Sequence, residues 1–116
     1  MDTEKKARRL SRRFSPKVTV WEDGIISINR TAIEQFGLEG MKFAMLSFDA
    51  KGLTFSIKPS GDEDSALPVL RYGSKPPVIE SQDFLEENGF DYKMGPFVYD
   101  AQWDEASKAI LVKINY

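Results

Sequence analysis

The 116-residue chain contains no cysteine and no histidine. Without cysteine it forms no disulfides and offers no thiolate ligands. Without histidine it lacks the commonest acid–base catalyst and metal ligand near neutral pH. Catalysis would then rest on carboxylates, lysine, tyrosine or hydroxyl groups, and no recognisable motif gathers these. We therefore expect a protein that is not an enzyme and that uses no cofactor and no metal.

Long apolar runs are also missing. No stretch approaches the roughly 18–20 apolar residues that a membrane span needs. At 41% hydrophobic and 29% charged residues, the composition is that of an ordinary globular domain. We expect one domain in the cytoplasm, with no membrane association and no small-molecule substrate.

Charge is distributed unevenly along the chain. Residues 1–17 carry seven bases and two acids, net +5, whereas residues 18–116 carry nine bases and sixteen acids, net −7. The bases of the first segment are Lys5, Lys6, Arg8, Arg9, Arg12, Arg13 and Lys17. We predict a flexible basic arm over residues 1–16. Such an arm either contacts phosphates, which releases counterions, or is a solvated terminus that aids solubility.

A shift of 52 residues brings two segments of the chain into register (residue 37 onto residue 89). Residues 32–38, Ala-Ile-Glu-Gln-Phe-Gly-Leu, align with residues 84–90, Phe-Leu-Glu-Glu-Asn-Gly-Phe. Both read as short amphipathic helices. The glycines, Gly37 and Gly89, are predicted to end the helices in the left-handed conformation, with the next apolar residue packing back on the last turn.

The segments around the two helices repeat in the same order. A capping box, with a glutamate three residues after the capping side chain, is predicted at Thr31 and at Asp83. Asp23-Gly24 between two β-rich runs predicts a hairpin before the first helix. Alternating apolar residues predict a strand after each helix, and these residues are Leu53, Phe55 and Ile57, and Ile110, Val112 and Ile114.

These patterns predict one mainly β domain with short helices, of the α+β class, over residues 17–116. Repeat 1 covers residues 17–58 and repeat 2 covers residues 67–116. The polar, acidic segment 59–66 links them.

Residues 23–29, Asp-Gly-Ile-Ile-Ser-Ile-Asn, the helix ending Phe-Gly-Leu and the following Glu-Gly-Met-Lys resemble the AbrB/SpoVT family of swapped-hairpin DNA-binding domains. The matching positions are Gly24, Ile26, Ile28, Gly37 and Leu38. The resemblance covers residues 17–58 and, through the repeat, extends along the chain as in duplicated MraZ-type members. It implies two tandem βαββ-type units that interleave their hairpins into one pseudo-two-fold barrel.

The resemblance also implies DNA binding and a role in transcription regulation. The family's DNA-contacting arginines fall on positions that are not basic here, namely Ile25, Ile33, Glu34, Pro77, Leu85 and Glu86. Near the expected face the basic residues are Lys17, on the first strand, and Arg30, at the helix start. The expected DNA-binding residues are therefore Lys5, Lys6, Arg8, Arg9, Arg12, Arg13, Lys17 and Arg30.

A second function is open to the same fold: a non-catalytic protein-interaction module, antitoxin-like or a phage adaptor, that has lost DNA binding. The acidic body repels DNA, and repeat 2 is rich in aromatic residues, which are Tyr92, Phe97, Tyr99, Trp103 and Tyr116. These rings either face a protein partner or a second copy of the chain, or they belong to core and cross-strand pairs.

We predict a strand at residues 95–99 and a loop at residues 100–108. This loop lacks the glycine of a calcium-binding loop.

Overall fold

The computed structural model describes residues 15–61 and 66–114. Within these residues the protein is mainly β, with two short α-helices, as predicted. The helices are α1 Arg30–Phe36 and α2 Gln82–Glu87, and a 3₁₀ turn covers Tyr92–Met94. The strands are β1 Lys17–Val20, β2 Ile25–Ile28, β3 Phe43–Asp49, β4 Thr54–Ser60, β5 Leu67–Pro68, β6 Val78–Glu80, β7 Phe97–Asp104 and β8 Ala109–Lys113.

All eight strands belong to one antiparallel sheet in the order β5-β3-β4-β8-β7-β1-β2-β6. A bridge between Leu70, just after β5, and Val78 in β6 brings the two ends of this order together. The sheet therefore forms a nearly closed barrel. Closure hides the polar backbone edges that an open sheet leaves exposed.

The barrel is filled by apolar side chains that alternate along its strands. The predicted alternation after each helix is confirmed, because five of its six residues are fully or almost fully buried: Phe55, Ile57, Ile110, Val112 and Ile114. The exception is Leu53, which is 42% exposed. Its φ of 47° places it in the turn before β4 rather than in the strand.

The predicted helix ends are confirmed. Gly37 and Gly89 adopt left-handed φ angles of 68° and 74°. The amide after each glycine donates to the carbonyl oxygen five residues earlier, with an N···O distance of 2.9 Å in both cases. This bond satisfies a carbonyl that the last helical turn leaves without a partner.

Both helices begin earlier than predicted. Asn29, rather than Thr31, caps α1, and its Oδ1 accepts from the amide three residues on at 2.9 Å. The same oxygen accepts from the first amide of β1, which fixes the asparagine as the cap. α2 begins after Ser81 rather than at Asp83, and the Ser81 hydroxyl donates to the Gly24 carbonyl at 2.9 Å instead of capping the helix.

Two strands are longer than predicted. β7 continues to Asp104, so most of the loop expected at 100–108 is strand. Ala101 and Trp103 continue the inward alternation of β7 opposite β8, and this alternation carries the strand through its polar residues. β4 likewise ends at Ser60, inside the segment expected to be linker.

Gly24→Ala should destabilise the fold. Gly24 has a φ of 85°, and a Cβ at this position would lie 2.2 Å from Cγ of Gln82. The combined strain and overlap should lower the free energy of unfolding by about 1–3 kcal/mol, measured by urea denaturation. Gly40→Ala is the matched control, because a Cβ there meets open space. Equal unfolding midpoints for the two variants would contradict this account of the turn.

Candidate functional site

The predicted arm leaves the barrel beside the start of α1. The carbonyl of Pro16 accepts from the amide of Ala101 in β7 at 3.1 Å, and the carbonyl of Ser15 accepts from Nδ2 of Asn29 at 2.9 Å. Because Asn29 caps α1, these two bonds fix the root of the arm at the N-terminal end of this helix. The arm bases lie outside the described residues, and they are Lys5, Lys6, Arg8, Arg9, Arg12 and Arg13.

The structure places Lys17 and Arg30 near this root. The ammonium of Lys17 forms an ion pair with Oδ1 of Asp100 on β7, which compensates its charge. The guanidinium of Arg30 donates to the carbonyl of Ser74 at 3.1 Å, in the loop between β5 and β6. Sequence reasoning identified both bases but not their partners, because Lys17 and Asp100 are 83 positions apart.

The two helices lie toward opposite ends of the barrel. β4 and β8 are antiparallel, so the β3–β4 turn and the β7–β8 turn point in opposite directions. Phe36, at the end of α1, stacks on Trp103 near the β7–β8 turn, with ring centroids 5.7 Å apart. Phe90, which follows α2, packs edge-on against Phe48 near the β3–β4 turn, with centroids 5.1 Å apart.

The end of the barrel that holds α2 is strongly acidic. The β1–β2 turn lies against α2 there, because the amide of Ser81 donates to the carbonyl of Gly24 at 3.1 Å. Eight carboxylates and three lysines give this acidic end a net charge of −5. They are Glu22, Asp23, Asp49, Glu80, Asp83, Glu86, Glu87 and Asp91, with Lys51, Lys93 and Lys113.

The opposite end, which holds α1 and the arm root, has no such excess among the described residues. Arg71 donates to the carbonyls of Leu38 and Met41 at 3.3 and 3.1 Å, which holds the β5–β6 loop against the segment that follows α1. Among the described residues, five bases and four acids give this arm end a net charge of +1. They are Arg30, Lys42, Arg71, Lys75 and Lys108, with Glu34, Glu39, Asp104 and Glu105. The negative charge of the described residues is therefore concentrated at the acidic end, whereas Asp62, Glu63 and Asp64 lie outside the described residues.

Most of the aromatic residues singled out in the sequence pack against the core. Tyr92 is buried, and Phe97, Tyr99 and Trp103 are half-buried. Tyr116 lies outside the described residues. The strongly exposed apolar side chains beside these rings are instead Met94 and Val98, at 73% and 61%. Sequence reasoning missed both, although the alternation of β7 places Val98 on the outer face.

No metal-binding cluster and no membrane-crossing helix occurs among residues 15–61 and 66–114. In that part of the chain, no group of three or more acidic side chains is arranged to hold a metal ion. Neither of its helices is long and apolar enough to cross a membrane.

Comparison with known proteins found no match. No family model, no curated protein and no solved structure matches this chain. Its function is therefore inferred from its own residues.

A hydrogen bond orders the surface of the acidic end. The hydroxyl of Tyr92 donates to Oε1 of Glu86 at 2.7 Å. This bond, then burial, then the negative charges of Glu86 and Asp83 raise the pKa of Tyr92 above its usual value of 10.0. The folded state thus holds the hydroxyl proton of Tyr92 more tightly than the unfolded state does. The stability that this difference contributes is complete below pH 10.0 and is lost as the pH rises through the pKa of Tyr92 in the folded state.

Tyrosinate absorbance is measured against pH in the wild type and in Tyr92→Phe. The difference between the two curves reports the ionisation of Tyr92, and we expect its midpoint above pH 10.0. Glu86→Gln should lower this midpoint, because it removes the nearby negative charge. Tyr72→Phe is the control for loss of a tyrosine, because Tyr72 is 58% exposed and lies outside the acidic end. A wild-type minus Tyr92→Phe difference that titrates at or below pH 10.0 would contradict the assignment.

Proposed function

We propose that the protein binds nucleic acid through the basic arm and the arm end, as a cytoplasmic transcription regulator. The observation that supports this proposal is the separation of charge along the barrel. The chain enters the barrel at the arm end, and a net charge of −5 lies at the acidic end. A polyanion bound at the arm end is therefore far from the carboxylates of the acidic end.

The distance between the two ends is long enough for this separation to matter. β4 has seven residues, which span about 23 Å at roughly 3.3 Å per residue. The screening length at physiological ionic strength is about 8 Å, so carboxylates beyond the far end of β4 are largely screened from phosphates at the arm end. The acidic end therefore opposes binding weakly, and it favours one orientation of the barrel on nucleic acid.

We also propose that the two halves of the barrel are diverged copies of one swapped-hairpin unit, related by a pseudo-two-fold axis. Read around the barrel through the Leu70–Val78 bridge, the strand order is unchanged when β1–β4 are exchanged with β5–β8, which supports this relation. Under this exchange the β1–β7 pair becomes β5–β3, β3–β4 becomes β7–β8, and β2–β6 and β4–β8 each map onto themselves. The β1–β2 hairpin maps onto β5 and β6, which are joined by the single bridge. The matching ends of the two helices give further support. The arrangement accords with the AbrB/SpoVT-like resemblance.

The arm should carry most of the nucleic-acid affinity. Fluorescence anisotropy with a labelled random-sequence duplex should detect micromolar binding at low salt that weakens steeply as salt is added. Replacing the six arm bases by glutamine should reduce the affinity at low salt by at least ten-fold and flatten the salt dependence. Arg30→Gln should lower the slope of log affinity against log salt by about 1, the expectation for one lost phosphate contact.

Lys51→Gln with Lys93→Gln provides the matched control. This double variant removes positive charge from the acidic end and should leave binding nearly unchanged. If this control and Arg30→Gln lost equal affinity for the duplex, the duplex would be attracted to the whole surface of the protein without a preferred orientation. No binding by the full chain at low salt would overturn the proposed function.

A further inference from the structure

The barrel has a gap between β7 and β8. The pairing of these strands runs from Asp104↔Ala109 to Ala101↔Val112 and then stops. β7 continues for four residues from Asp100 back to Phe97, and along these residues it pairs with β1. A cleft of about 730 Å³ lies where β7 and β8 separate.

One edge of β7 directs polar backbone groups into this cleft. The amide of Ala101 donates to Pro16, on the side of β1. Successive residues of a strand direct their backbone groups to alternate edges. The amides and carbonyls of Val98 and Asp100 therefore point toward the cleft. Among residues 15–61 and 66–114, no strand pairs with these two residues on that side.

The walls of the cleft are mostly apolar. They include Met94 and Val98, which have the largest exposed fractions among the exposed large apolar side chains of the described residues. Phe97 and Leu111 line the same cleft. Exposed apolar side chains beside an open strand edge are the features that an added strand uses, with backbone bonds for affinity and side-chain pockets for specificity.

The acidic end beside the cleft favours a basic ligand. Asp91 and Asp100 lie in the walls of the cleft with one base, Lys113, and Asp100 is also ion-paired with Lys17. Asp91 also belongs to the acidic end, so the negative charge continues beyond the cleft. Asp100 remains 78% exposed at its side chain despite the ion pair with Lys17.

We propose that this cleft binds an extended basic peptide segment of a partner protein, which adds a strand to β7 beside Val98 and Asp100. Alternate side chains of the peptide meet Met94, Val98 and Leu111, and its lysines or arginines meet Asp91 and Asp100. The four-residue edge is about 13 Å long at roughly 3.3 Å per residue, so a short segment covers it. This interaction goes beyond nucleic-acid binding and uses a different surface.

The test uses the full chain and a fluorescein-labelled peptide, Lys-Val-Lys-Val-Lys-Val-Lys, in fluorescence polarisation. Val98→Pro removes the amide that points into the cleft, and proline is tolerated where a strand's amide faces away from its neighbour. Val98→Thr keeps the amide and the shape of the side chain. We expect Val98→Pro to weaken peptide binding at least ten-fold, and Val98→Thr to change it less than three-fold. Tyr72→Ala, which alters an exposed side chain outside the cleft, should leave binding unchanged.

Modified peptides test the backbone contacts without changing the protein. N-methylation of the peptide amides should reduce binding at least ten-fold if the peptide joins the sheet, and this test stands if Val98→Pro fails to fold. The Glu-Val-Glu-Val-Glu-Val-Glu peptide should bind at least ten-fold more weakly than the lysine peptide. Equal binding of the methylated and unmethylated peptides, or no binding of the lysine peptide at millimolar concentration, would overturn the proposal. The latter result is expected if the chain's own residues fill the cleft.

Peptide binding and nucleic-acid binding can fail separately. The variant with six glutamines in the arm should lose duplex binding and keep peptide binding. Val98→Pro should lose peptide binding and keep duplex binding. Loss of peptide binding in the arm variant would show that the peptide does not use the cleft, and would overturn this proposal without bearing on the first.

Discussion

The antiparallel β4–β8 ladder holds the protein together. Each half of the chain supplies one hairpin, β3–β4 or β7–β8, and a hairpin alone leaves one apolar face in water. The ladder joins the two hairpins, and Phe55 lies opposite Val112 and Ile57 opposite Ile110 across it, all four fully buried. Burial of such a side chain contributes about 1.5–3 kcal/mol, so this junction outweighs any single polar contact of the surface.

The direction of this ladder also sets the positions of the charges. Because β4 and β8 run in opposite directions, their hairpin turns point to opposite ends of the barrel. Each helix packs beside one of these turns, through Phe36 on Trp103 and Phe90 on Phe48. A parallel junction would bring the turns and helices to one end, and the arm root would then lie beside the carboxylates of the acidic end.

The sequence predicted local structure better than it predicted contacts between distant residues. Alternation and glycine position identified the strands and helix ends, because both follow from backbone sterics within a few residues. The sequence-based prediction misplaced the cap of α1, because Asn29 Oδ1 accepts from the amide of Lys17 in β1 as well as from the helix. The ion pair of Lys17 and the cleft beside Val98 were not predicted, since both arise from the register of β7 against β1 and β8. Of the proposed site, only the bases were visible in the sequence.

The ion pair between Lys17 and Asp100 connects the arm root to the cleft. Lys17 directly follows the arm root, and Asp100 lines the cleft. If both proposals hold, a phosphate at Lys17 would free the carboxylate for a basic peptide. An exposed ion pair contributes about 0.2–1 kcal/mol, so the coupling between the two proposed sites through this pair would be limited to about five-fold in affinity, and by linkage it would act equally in both directions. Stronger coupling would require the β1–β7 ladder to shift its register, and that shift would move Val18 and Val20 out of the core.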